Sequence, residues 1–430
     1  MRSVLTRIPS RKAGPLQRRI RLAMLKAQSN PTTQTRTSMT TTFLHTADWQ
    51  LGKPFAGIED VQKRSVLQQE RIEVIHRLGA IAAQKKAEFI VVAGDLFDSP
   101  TASKATVSGA CSAIGKLKIP VIVIPGNHDH GGPGSLWEQE FFMREQSNLA
   151  PNLRVLLKPE PVETDSAVIF PCPLLRRAES SDTSGWLRSA AIFGDGNKTR
   201  IILAHGSTQS FGSQLNDDEA GAAAANQIDL SRLPGEAFDY IALGDWHGTK
   251  QINPKAWFSG TPELDRFPKG AEYDSGNVLV VEASRGATPK VTPVRSARFG
   301  WHDFSFDFAD DSGLAHFQER IASLVGQRAG EDLLRLDLSG SLGMDASTLL
   351  EQFLESLEAR LLRVKIINRT VVAPAGQEVQ ALTQRAGDPL IARVATELVT
   401  RSAATDESAA VARVALRLLH AACVQLKPTL

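Results

Sequence analysis

Short, continuous runs of β-branched and aliphatic residues recur along the chain: "FLHTA" from Phe43, "EFIVVAG" from Glu88, "IPVIVIPGN" from Ile119, "RIILAHG" from Arg200, "DYIALGDWHG" from Asp239 and "GNVLVVEA" from Gly276. A strand with one solvated face alternates apolar and polar residues. These runs do not alternate, so both faces of each strand must be covered. Between the first three lie helical patterns. "VQKRSVLQQERIEVIHRLGAIAAQ" sets Leu67, Val74, Leu78 and Ile81 on one face, and "SKATVSGACSAIGKL" reads as a second helix. Strands alternating with helices predict an α/β fold with a sheet buried in the middle of its layers.

The 430 residues exceed one average domain, which predicts a large core with smaller additions. No run of about 18 apolar residues is present, so no membrane-spanning helix is expected. Cys111, Cys172 and Cys423 are odd in number and far apart. They give neither a zinc pattern nor a disulfide framework, and fit a reducing, cytoplasmic setting. The net charge of +2 hides an asymmetry: residues 1–40 hold nine Arg or Lys and no acid, and the remainder holds 40 basic and 47 acidic residues. A basic arm or an Arg-rich targeting peptide would look like this, but so would a disordered leader, and Met39 stands just before the first strand. The leader is the reading taken for 1–40.

After about Arg298 the texture changes. "DLLRLDLSG" alternates Leu334, Leu336 and Leu338; "DASTLLEQFLESLEARLL" carries Leu350, Phe353, Leu354, Leu357 and Leu361 on one stripe; "RVKIINRTVV" closes a strand–helix–strand unit. The expected organisation is therefore a core over 41–298, a small α/β cap over 299–371, and a helical tail over 372–430 with Val411, Ala415, Leu418 and Ala422 on one face.

Five polar motifs sit at strand ends: Asp48-Trp49-Gln50, Asp95 in "GDLFD", Asn127-His128-Asp129-His130, His205 in "AHG", and Asp245-Trp246-His247. In open α/β sheets ligands gather beyond the carboxyl ends of strands, so residues far apart in sequence are expected to converge there. Each motif alone reads as an ordinary turn or cap; His205 alone reads as a core histidine. Together they form an oxygen and imidazole donor set without thiolate, suited to Mn²⁺, Mg²⁺, Fe²⁺ or Zn²⁺. So many acids need cations, and two ions about 3.5–4 Å apart suit in-line attack on a phosphate ester. His45, His76, His302 and His420 belong to no motif and are expected to be structural or exposed.

"HTADWQLGK", "GDLFD", "GNHDH", "HG" and "GDWH" resemble the calcineurin-like metallophosphoesterases, and within them the bacterial DNA-repair exonucleases related to the nuclease subunit of SbcCD. The resemblance implies a four-layer α/β/β/α sandwich and a binuclear site, with Mn²⁺ first among the candidate ions. It places Asp48, Gln50, Asp95 and His247 on a first metal, and Asp95, Asn127, His205 and Asp245 on a second, with Asp95 bridging. It makes His128 the proton donor to the leaving oxygen, its ring held by Asp129. Two positions depart from the family pattern: Gln50 and Asp245 each stand where a His is usual, which predicts a site for harder ions. In "SGTPELDRF", Arg266 is expected either to meet a phosphate or to pair with an acid. The resemblance further implies DNA as substrate, a coiled-coil SbcC-like ATPase partner and a homodimer. A small-molecule phosphodiesterase and a non-catalytic scaffold for an ATPase are the alternatives.

Overall fold

The computed structural model describes residues 40–194, 196–208, 225–268, 270, 273–326, 330–372, 376–404 and 407–425; the basic segment 1–38 lies outside the described residues. The chain runs β1 (Thr40–Thr46), α1 (Val61–Lys85), β2 (Ile90–Ala93), α2 (Lys104–Gly115), β3 (Val121–Ile124), α3 (Glu140–Leu149), β4 (Leu153–Val155), β5 (Val162–Glu163), β6 (Ala167–Cys172), β7 (Thr199–His205), β8 (Ser207–Thr208) and β9 (Gln227–Ile228). It continues through β10 (Tyr240–Gly244), β11 (Lys250–Asn253), β12 (Ala256–Phe258), β13 (Asn277–Ser284) and β14 (Lys290–Arg295). One six-stranded sheet has the order β14-β13-β1-β2-β3-β4, a second the order β11-β12-β10-β7-β6-β5, and β8 pairs with β9.

Period-two alternation explains why each strand is apolar throughout. In β1 to β3, Leu44, Ile90, Val92, Val121 and Val123 face α1 and α2. The intervening Phe43, Val91, Ala93, Ile122 and Ile124 face the second sheet, where Ile201, Leu203, Tyr240 and Ala242 meet them. The second sheet's far side buries Ile202, Ala204, Ile241 and Leu243 with Phe170, Phe193 and Phe258. This is the α/β/β/α arrangement expected; among the described residues the fourth layer includes short 3-10 turns at Gly185–Leu187, Ala190–Phe193 and Leu230–Arg232. Helix starts are set locally. Asp60 accepts from the backbone of Gln62 and Lys63 at the head of α1, and Ser103 from Thr106 at the head of α2.

His45 pins the two sheets together. Its Nε2 donates to the Leu243 carbonyl at 3.2 Å, so its Nδ1 accepts from the Tyr240 hydroxyl at 2.9 Å. Burial lowers its pKa to about 3, and the ring stays neutral. It is structural, as expected.

Beyond the two sheets come β15 (Gly300–Phe308), α4 (Gly313–Val325), β16 (Asp332–Leu342), α5 (Met344–Arg360), β17 (Arg363–Asn368) and β18 (Val371–Val372). The strands form a parallel sheet, β15-β16-β17, with β18 also on β16. This is two successive strand–helix–strand units, one more than the sequence pattern suggested. Their core joins Phe308, Phe317, Leu336, Leu350, Leu354 and Leu357. The tail forms α6 (Gly376–Thr383), α7 (Pro389–Ser402) and α8 (Glu407–Gln425). Ala395, Leu416 and Cys423 pack with Met344. His420 Nε2 lies 2.8 Å from Asp345 Oδ1, and Glu378 caps α5 by accepting from the backbone of Met344 and Asp345. The tail face expected to be buried is instead largely solvated: Val411 is 69% and Leu418 59% exposed. No helix among the described residues is long and apolar enough to cross a membrane.

Candidate metal centre

The loops after β1 and β2 keep pairing beyond their strands, through Asp48 N to Gly94 O at 3.1 Å and Gln50 N to Asp95 O at 2.9 Å. Each chain then turns sharply. Asp48 (φ 53°), Gln50 (φ 42°), Asp95 (φ 54°) and Asp245 (φ 100°) all adopt positive φ, a conformation that costs a non-glycine residue about 1–3 kcal/mol. Four strained residues in one place mean that the surroundings hold them there. All are candidate site residues.

The predicted residues do converge. Ligand atoms of Asp48, Asp95 and His205 lie within 4.8 Å of one another. His205 Nδ1 donates to the Ala93 carbonyl at 2.7 Å, so its Nε2 lone pair faces inward, 2.9 Å from Asn127 Oδ1, 3.7 Å from Asp95 Oδ1 and 3.9 Å from Asp245 Oδ1. On the other side His247 Nε2 is 3.9 Å from Asp48 Oδ1. The Asp245 backbone N–H reaches both Asp48 carboxylate oxygens at 3.3 Å. Asp48 is fully buried; desolvation first, then Asp95 and Asp245, raise its carboxyl well above its usual range. Burial keeps His205 and His247 neutral, the latter with a pKa lowered to about 4. Crowded carboxylates facing neutral imidazole lone pairs fit divalent cations. A cation would relieve the repulsion that keeps Asp48 protonated.

His128 stands beside this cluster, with Nε2 4.0 Å from Asp95 Oδ2 and its side chain 30% exposed. One expectation needs correction. The ring is not oriented by Asp129: His128 Nδ1 donates to the Asp98 carbonyl at 2.8 Å. Both Asp129 oxygens accept backbone N–H groups, Oδ1 from Gly126 at 2.7 Å and Oδ2 from Phe97 at 3.0 Å. Asp129 thus fixes the loop that carries Asn127 and His128. Burial and Asp95 raise its pKa to about 7.

Three residues went unmarked in the sequence. Asp265 Oδ2 lies 3.1 Å from His247 Nδ1, an ion-pair distance, and Arg266 donates to the same oxygen at 3.2 Å, so Arg266 pairs with an acid. Burial opposes ionisation of Asp265, but His247, Arg266 and Lys53 outweigh it and hold its carboxyl well below the usual range. Lys53 Nζ donates to Gln50 Oε1 at 2.7 Å, so Gln50 turns Nε2 toward His247 Nε2, 3.4 Å away. Asp98, adjacent to the "GDLF" run, contributes through its main chain, which no residue pattern announces. A cavity of about 570 Å³ adjoins the centre, lined by His128, Lys53, Arg266, Phe267, Trp301 and Arg363 among others. Arg363 makes no hydrogen bond or ion pair among the described residues.

Residues 41–269 match the calcineurin-like phosphoesterase family, more than half of the chain. The chain is 25% identical over 273 residues to the SbcD subunit of the nuclease SbcCD of Staphylococcus epidermidis, covering 59% of this chain and 70% of that one. A solved crystal structure aligns with 60% of this chain and 99% of its own at 12% identity, with a TM-score of 0.37, too distant to add to the fold.

Proposed function

Because the chain belongs to the calcineurin-like phosphoesterase family, we propose that it is a metal-dependent phosphodiesterase that cuts DNA as a repair exonuclease in the cytoplasm. The reading rests above all on the convergence of Asp48, Asp95 and His205 at the ends of three strands, with His128 beside them. Asp48, Asp95 and His247 would hold one divalent ion, with Gln50 alongside. Asp95, Asn127, His205 and Asp245 would hold a second, and Mn²⁺ suits this oxygen-rich set best. When bound, such ions neutralise phosphoryl oxygens and acidify water. His128 protonates the leaving oxygen through Nε2, its ring aimed by the Asp98 carbonyl.

The cavity favours a polymer over a small ester. Arg363 and Trp301, both from the third sheet, form part of its wall beside His128. An uncommitted guanidinium there suits a phosphate flanking the cut bond, and Phe267 adds an aromatic surface for a base. Purified protein with Mn²⁺ is expected to cleave labelled DNA and bis-p-nitrophenyl phosphate. Arg363→Ala is expected to slow DNA cleavage and spare the small diester. Cleavage of neither substrate by folded, metal-loaded protein would end the enzyme reading; equal loss on both substrates would end the role of Arg363.

The likeness to the SbcD protein of nuclease SbcCD also supports a homodimer and an SbcC-like ATPase partner. The tail supplies a face for the latter: Leu390 and Val394 on α7, and Val411, Val414 and Leu418 on α8, are exposed. Val411→Lys with Leu418→Lys is expected to abolish co-purification with the SbcC-like ATPase of the same genome and to leave diester cleavage and Tm unchanged. Retained binding would place the partner elsewhere.

A further inference from the structure

Gln50 stands where the family pattern has an imidazole, and its amide is not free to turn. Lys53 Nζ lies 2.7 Å from one terminal atom of this amide. An ammonium can only donate, so that atom is the oxygen, and the atom 3.4 Å from His247 Nε2 is the NH₂ group. Lys53 is itself held by Asp265 at 3.3 Å and Asp98 at 3.5 Å. Turning the amide over would lose a charge-assisted hydrogen bond and set two donors face to face.

Building on the metal-dependent reading above, we propose that Lys53 fixes Gln50 as a hydrogen-bond donor and not a metal ligand, which makes the two metal positions unequal. The position served by Asp95, Asn127, His205 and Asp245 is the tight one. His205 presents its Nε2 lone pair there because its other nitrogen is committed to Ala93 O. The position between Asp48 and His247 lacks its fourth protein donor and faces an amide N–H. That N–H is placed to meet an anionic oxygen, the chemistry of a phosphate ester held across the two positions. Lys53 is thus a positioning residue acting through Gln50.

The test is calorimetric titration of the full chain with Mn²⁺. Wild type is expected to bind one ion tightly and a second at least about 10-fold more weakly, the usual scale for outer partners of metal ligands. Lys53→Met frees the amide to turn its oxygen inward and tightens the second ion by about 10-fold. Lys53→Arg keeps the donor and the wild-type titration. Removing a positive charge tightens a cation by itself, so Lys53→Met is repeated in a Gln50→Ala chain, where its effect is expected to shrink. Gln50→Glu, with one oxygen for Lys53 and one for the ion, is expected to tighten the second ion without disturbing packing. Two equally tight ions in wild type, or a Lys53→Met effect undiminished in Gln50→Ala, would overturn the inference and leave the phosphodiesterase reading standing. No tight Mn²⁺ in any variant would overturn both.

Discussion

His128→Ala is expected to keep its bound metal and to lose about 10²–10⁴-fold in turnover, the range for removal of a general acid. The ring lies outside the ligand cluster, 4.0 Å from Asp95 Oδ2, and opens on the cavity. Its Nδ1 proton is committed to the Asp98 carbonyl, which leaves Nε2 as the nitrogen facing substrate. Asp95→Ala is expected to behave differently. Asp95 belongs to the three-residue ligand cluster and also accepts the His128 backbone N–H at 2.9 Å. Its loss removes a ligand and loosens the loop that carries Asn127 and His128, so metal and activity fall together. Metal content by atomic emission, set beside turnover on bis-p-nitrophenyl phosphate, separates the two. Equal metal loss in both variants would make His128 a ligand and not an acid.

The strand ends were legible because burial on both faces leaves a simple mark. "IVVAGD" and "VIVIPGN" are uninterrupted apolar runs broken by polar residues, and the break is where Asp95 and Asn127 stand. Chain elements that break such rules were not. β6 contains Pro171, which removes a backbone donor, yet it is an inner strand paired with β7. α8 carries two apolar stripes. Periodicity finds Val411 and Leu418 as readily as Leu416 and Cys423, and only packing shows that the second pair is buried. The role assigned to Asp129 failed because a carboxylate next to a histidine in sequence need not face it: both its oxygens were needed by N–H groups of Gly126 and Phe97. Lys53 and Asp265 were silent for a similar reason. Their roles arise where the loop after β1 meets the loop after β12, and nothing in either segment announces the other.

Gly244→Ala is expected to damage metal binding and stability together, although it adds one methyl group at the end of a strand. Gly244 closes β10 opposite His205 on β7. A Cβ there would run into the Ala93 carbonyl oxygen, and would stand 2.9 Å from both Ala47 Cβ and His205 Nδ1. Ala93 ends β2 in the other sheet, so this glycine sets how closely the two sheets approach at the site. The same carbonyl accepts the His205 Nδ1 proton that turns Nε2 toward Asn127 and Asp95. Overpacking of a close-packed interior costs about 1–3 kcal/mol. Here the backbone must yield, so the cost falls at or above the top of that range. As the strand ends part, His205 loses its fixed tautomer and tight Mn²⁺ affinity falls by about 10–100-fold, the scale for losing an outer partner of a ligand. Gly235→Ala is the control, because a Cβ at that position meets nothing within 4 Å. Thermal melting and Mn²⁺ titration of the two variants decide the matter. A Gly244→Ala protein with the melting temperature and metal affinity of Gly235→Ala would show that the sheets part without disturbing His205, and that the approach of β2 to β10 does not govern the site.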